Sequence, residues 1–140
     1  MHIEKTTKNN IDKLREFINK VPTIKEIDED ILDNAVILRD SEEIKAIISY
    51  EDYSNKGLIR YFIFQKEVSF DYLKDMLEYL KEIARNKNII CLLSVVDQKE
   101  LIAFFNNLGF LPFSIDDIYI DELSLGNTIY KNAQGMIYYL

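Results

Sequence analysis

LIRYFIFQKEVSFDYLKDMLEYLKEIARNKNIICLLSVV, Leu58 to Val96, changes its apolar period twice. LIRYFIFQ is apolar on both faces apart from Arg60 and Gln65, as in a central strand covered on both sides. From Leu73 the period lengthens: Leu73, Met76, Leu77, Leu80, Ile83 and Ala84 mark one face of a long helix, broken near the polar segment Asn86 to Asn88. IICLLSVV then reads as a buried strand. This unit predicts a right-handed crossover joining parallel strands, because that hand dominates. The helix N-terminus then opens at the carboxyl end of the central strand, the edge where ligands usually bind in open α/β sheets.

Upstream, AVILRD from Ala35 is a short apolar run, and EIKAIISYEDY alternates Ile44, Ala46, Ile48 and Tyr50 after a polar turn. A second turn, SNKG at Ser54 to Gly57, completes a three-strand meander. Before it, Ile11, Leu14, Phe17, Ile18 and Val21 form an amphipathic helix that stops at Pro22, preceded by a short strand at His2 to Lys5. Thr23, with Glu26 three residues on, predicts a capping box opening a second, shorter helix over TIKEIDEDILDN.

Downstream, DQKELIAFFNNLGF predicts a helix with Asp97 as N-cap, Leu101, Ile102, Phe104, Phe105 and Leu108 inward, and Gly109 at its C-terminal cap. FLPF and IDDIYI look like strand pieces, and GMIYYL is a closing strand. The expected fold is α/β (α+β): a mixed, mostly antiparallel sheet flanked by about four helices, one domain over residues 1–140.

Composition excludes several classes of function. A formal charge of -7 and a pI near 4.8 argue against the basic face that nucleic acid requires. No run approaches the roughly 18 apolar residues of a membrane helix, and MHIEKTTKNN carries no signal segment. Cys91 is the only cysteine and His2 the only histidine, so Cys/His zinc sites and a Ser-His-Asp triad are excluded and no metal is expected. The lone, apolar-flanked thiol fits a reducing cytoplasm. Chemistry must come from carboxylates, Tyr, Lys or water.

The order of elements, together with LIAFFNNLGFLPF, resembles the Gcn5-related N-acetyltransferase superfamily over nearly the whole chain. HIEKTTKNNIDKLREFI is similar to the start common in that family. The resemblance implies a sheet splayed into a V at its middle, with acetyl-CoA (or CoA) in the split and a small amine or peptide substrate opposite. It implies acyl transfer to that amine, with the alternative of a binding or regulatory module that keeps the architecture and has lost acetyl-CoA.

The family's acyl-CoA signature is Arg or Gln, two residues, Gly, one residue, then Gly or Ala. Counted back from Ala84 and Arg85, its six positions fall on Val68, Ser69, Phe70, Asp71, Tyr72 and Leu73, and none matches. Ser69 suits an N-cap, and Asp71 in the first turn faces the positive end of the helix dipole. Two readings stand: a self-capped helix with no phosphate site, or a remodelled site in which Lys66 replaces the missing Arg or Gln. In the last helix, Phe105 aligns with a tyrosine that can protonate the departing thiolate in many relatives, and Gln98 and Leu101 hold the Asn and Ala positions. Glu51, at the end of a strand near the sheet centre, is the nominal base. The acids of IDEDILD and SIDDIYIDELS suit either steering of a cationic amine or plain solvation. Tyr119, Tyr130, Tyr138 and Tyr139 suit a pocket, a homodimer interface or strand packing.

Overall fold

The computed structural model describes residues 1–117, 119–120, 123–124 and 133–140. The chain runs β1 (His2–Lys5), α1 (Ile11–Asn19), α2 (Glu29–Leu32), β2 (Ala35–Asp40), β3 (Glu43–Tyr53), β4 (Lys56–Phe64), α3 (Phe70–Asn86), β5 (Cys91–Val96), α4 (Lys99–Asn107) and β6 (Leu111–Phe113). A 3-10 turn at Ile115–Asp117, β7 (Tyr119–Ile120), β8 (Leu123–Ser124) and β9 (Gln134–Tyr139) follow. Seven strands form one sheet in the order β1-β2-β3-β4-β5-β9-β6, antiparallel throughout except for the parallel pair β4 and β5. The expected mixed sheet and the parallel crossover through α3 are both present.

Each face of the sheet carries its own core. Leu73, Met76, Leu77, Leu80 and Ala84 of α3 pack with Val36, Ala46, Ile48, Tyr50 and Leu92 on one face. Leu14 and Ile18 of α1 and Ile31 and Leu32 of α2 cover Ile37, Ile47 and Tyr61 on the other. Ala46, Ile48 and Tyr50, each two apart, supply one layer, whereas a register shift opposite Leu38 and Arg39 turns Ile44, expected on the same face, into the other. β4 had to be apolar on both faces.

Helix ends are set by local chemistry. Gly109, at φ +93°, lies just past α4, with its N–H bonded to the Asn106 carbonyl and that of Phe110 to the Phe105 carbonyl. That pair of bonds is a Schellman motif, and a left-handed residue is required there. Asn88, at φ +62°, ends α3 in the same way, with Ile89 N–H reaching the Ala84 carbonyl.

Three local expectations are corrected. The second helix starts at Glu29, where the Asp28 carboxylate accepts the Asp30 N–H at 3.2 Å; Thr23 and Glu26 precede it and form no capping box. Asp28 wins because its own N–H is also fixed, by the Tyr61 hydroxyl at 2.9 Å. Gln98, rather than Asp97, caps α4, through backbone geometry with no side-chain bond. Ile115–Asp117 turns as a 3-10 helix instead of opening a strand, and β7 and β8 make a separate two-stranded hairpin.

Candidate functional site

β4 and β5 pair over three residues only, Lys56 with Cys91, Gly57 with Leu92 and Leu58 with Leu93. Beyond Leu58 the strands separate. β5 continues against β9, while Ile59 to Phe64 of β4 keep β3 on one edge and, among the described residues, pair with no strand on the other. Gly57 makes the apex of this V close: a Cβ there would lie 2.9 Å from Leu92 Cδ2 and 3.0 Å from Tyr50 Cδ2.

The open stretch is also bent. Ser49 of β3 stands opposite two residues of β4, Arg60 and Tyr61, since Tyr50 pairs with Ile59 and Ile48 with Phe62. This is a β-bulge. Tyr61 takes φ +41°, a conformation costly for a bulky side chain. The Ser49 hydroxyl donates to the Arg60 carbonyl and lies 3.4 Å from that of Tyr61. Because of the extra residue, Ile59, Phe62 and Phe64 face the α3 side while Tyr61 and Ile63 face α1 and α2.

At the carboxyl end of β4 the chain turns into α3. The Ser69 side chain accepts the Tyr72 N–H at 3.5 Å, as its capping role requires, and its carbonyl takes the Leu73 N–H at 3.3 Å. The Val68 N–H is bonded to the Gln65 carbonyl at 3.0 Å. The N–H groups of Ser69, Phe70 and Asp71 are therefore the ones without an acceptor among the described residues. Val68 and Leu73 direct their side chains into the core, while Lys66, Ser69, Phe70 and Asp71 are exposed and Tyr72 is half-buried.

Between α3 and α4 lies a cleft of about 400 Å³ lined by Phe70, Asp71, Lys74, Glu100, Phe104 and Leu108, among others. Phe70, half exposed at 51%, meets Phe104 at a ring distance of 5.4 Å. Phe104 and Phe105 in turn contact Phe62 of the open strand at 5.9 and 5.8 Å. One apolar wall thus runs from the corner to the split. Phe105 is fully buried and has no proton to donate.

Glu51 lies on β3 opposite Leu58, the last paired residue of the apex, and its carboxylate is engaged by the Arg60 guanidinium. Tyr50 is fully buried, its hydroxyl has no partner among the described residues, and burial, with Asp52 adding to it, pushes its pKa up to about 12. It is a neutral phenol at physiological pH. Tyr138 is half-buried against Phe110 and under the Lys81 ammonium, 3.8 Å from the ring centre; Tyr139 is exposed; Tyr130 and the Tyr119 side chain lie outside the described residues. Among the described residues no group of three or more His, Cys, Asp or Glu is placed to hold a metal, and no helix is long and apolar enough to cross a membrane.

A seven-stranded sheet split between its parallel strands, with one helix starting at the mouth of the split, decides the architecture. The fold is that of the Gcn5-related N-acetyltransferases. Rv2747 from Mycobacterium tuberculosis, solved in complex with CoA, superposes with a TM-score of 0.73 at 10% identity, over 100% of this chain and 99% of that one. An acetyltransferase from Streptococcus agalactiae gives a TM-score of 0.71 at 15% identity, over 99% and 98% of the two chains. N-acetylglutamate synthase from Neisseria gonorrhoeae, complexed with coenzyme A and L-arginine, gives 0.73 at 16% identity over 99% of this chain, which spans only 33% of the synthase. No protein-family model and no curated protein matches the sequence. At these identities the acetyltransferase likeness is one of fold.

The parts played by Ser49 and Gly57 escaped the sequence reading; Tyr61, which that reading lets face the splayed centre of the sheet, is buried on the α1 and α2 side instead. The signal available was the spacing of Ile59 and Phe62, which share a face three residues apart where an unbroken strand would put them on opposite faces. In a run apolar on both sides that irregularity is invisible.

Proposed function

We propose that the chain is an acyl-CoA-dependent N-acyltransferase that passes an acetyl group to a small amine or a peptide amine. The observation that carries this reading is the parting of β4 from β5 beyond Leu58, at a split that leads to the N–H groups of Ser69, Phe70 and Asp71, which have no acceptor among the described residues. An extended arm with two amides, such as pantetheine, matches an open strand edge, and a pyrophosphate matches helix N–H groups aided by the helix dipole. On both counts the residues present fit CoA without a glycine motif.

Bound acyl-CoA supplies a thioester carbonyl carbon for attack by an amine. The chain positions the reactants: β4 holds the arm, the corner of α3 with Lys66 and Lys74 nearby holds the phosphates, and Phe62, Phe104 and Phe105 exclude water from one wall. Correct placement contributes most where no strong acid or base is needed. Glu51, beside the apex, takes up the ammonium proton through water, and an acidic surface of charge -7 draws a cationic acceptor. Because Phe105 cannot protonate the leaving thiolate, water does so.

A second reading, a binding module without acetyl-CoA, is favoured by one observation: Asp71 puts a negative charge in the first turn of α3, the turn whose N–H groups a pyrophosphate would use. Isothermal titration with CoA separates the two. Micromolar binding supports the enzyme; no heat at millimolar CoA supports the module.

A further inference from the structure

We infer that the chain carries a further binding site, for an apolar α-amino acid in its zwitterionic form, in a cavity at the amino ends of β4 and β5. Lys56 and Cys91, the first residues of these two strands, line it. It thus lies at the opposite end of β4 from the α3 corner, and the inference does not depend on the acyltransferase reading. The cavity holds about 250 Å³. That is below the roughly 300–1,000 Å³ of drug-sized ligand sites and suits a molecule of amino-acid size.

Strand register builds its apolar floor. Leu93 pairs with Ile137 and Cys91 with Tyr139, and residues paired across strands or two apart along one share a face. Phe113 of β6, opposite Gly135, joins that face. Leu93 and Ile137 are buried there with Ile115 of the 3-10 turn, and Phe113 packs against them. The lip is apolar as well. Ile90 and Tyr139 line the cavity while 58% and 65% exposed, an unusual solvation for large apolar side chains beside a pocket.

The polar groups narrow the ligand. Lys56 and Asp117, of opposite charge, both line the cavity, and neither side chain has an ion-pair or hydrogen-bond partner among the described residues. A zwitterion between them gives its carboxylate to Lys56 and its ammonium to Asp117, each a charge-assisted bond, with its side chain on Leu93, Phe113 and Ile137. A ligand with one charge satisfies one of these groups and is repelled by the other. Cys91, only 4% exposed, also lines the cavity, and its thiol has no partner among the described residues. Burial pushes the pKa of this thiol up and Lys56 acts against that, so the field of the ammonium reaches the floor.

The test titrates 15N-labelled protein with L-phenylalanine and follows the backbone amides by NMR. 3-Phenylpropionate and 2-phenylethylamine, which keep the ring and one charge each, are titrated in parallel. Phenylalanine is expected to give saturable shifts at Cys91, Leu93 and Ile137, and each analogue to bind at least tenfold more weakly, the factor that one charge-assisted bond commonly commands. Lys56→Met and Asp117→Asn, both at exposed positions, are expected to weaken phenylalanine binding about tenfold with the melting temperature unchanged. No saturable shift at millimolar phenylalanine, shifts confined to the split between Ile59 and Phe64, or an analogue that binds as tightly as phenylalanine overturns the inference. Wild-type affinity in both variants does so too.

Discussion

Leu58 pairs with Leu93 as the last register partners of β4 and β5, and the sheet splits immediately beyond them. The V therefore depends on how tightly its apex closes one residue earlier, at Gly57. Gly57→Ala puts a methyl 2.9 Å from Leu92 Cδ2 and 3.0 Å from the Tyr50 ring. We expect a loss of about 1–3 kcal/mol, as for other overpacked cores, read by urea denaturation. An unchanged midpoint would mean that the apex is looser than described.

Tyr50 gives a prediction of opposite sign. The buried Tyr50 hydroxyl has no partner among the described residues, an arrangement that costs ~1–3 kcal/mol, so Tyr50→Phe should stabilise the protein, by about 1 kcal/mol. The pH dependence follows from the raised pKa. The folded state disfavours the phenolate, so Tyr50's contribution is fully present below pH 10 and is lost as pH rises from 10 through about 12. Denaturation at a series of alkaline pH values should show the variant's advantage growing across that window. A constant difference would contradict the assignment.

Asp71 opposes an incoming anion. Asp71→Asn keeps the side-chain size and removes the charge in the first turn of α3. With a dipole interaction of ~0.3–1 kcal/mol at stake, CoA affinity should rise about two- to fivefold while helix stability falls by a similar energy. Calorimetry and thermal unfolding read the two effects separately. Weaker CoA binding in the variant would place the phosphates elsewhere.

Glu51 carries the proton in the proposed mechanism. Glu51→Gln retains a hydrogen bond to Arg60 and should lower kcat by about 10²-fold or more, with acetyl-CoA affinity unchanged. An assay of thiol release with an amine acceptor measures it. Full activity would move the base to water alone.

The elements were legible where one short-range pattern governs them. α3 declares itself through Leu73, Met76, Leu77, Leu80 and Ala84, and α4 through its apolar face and Gly109, because helix packing imposes a period of 3.6 on sequence. The parallel pair followed from the crossover. The start of α2 was misplaced because Asp28 is fixed by the distant Tyr61, a contact that no local pattern records. The bulge was hidden for a related reason: β4 is apolar on both faces, so an extra residue leaves no polar mark. At the corner, the missing glycines were plain in the sequence. Which N–H groups remain uncommitted could not be read from sequence, since Val68, Tyr72 and Leu73 donate to neighbours while Ser69, Phe70 and Asp71 have no acceptor among the described residues.

Titration of the protein with acetyl-CoA tests the central claim most directly. The account predicts saturable micromolar binding and, at 100 times the dissociation constant, a gain of about 2.7 kcal/mol in stability. No heat and no shift in melting temperature at millimolar acetyl-CoA would contradict it.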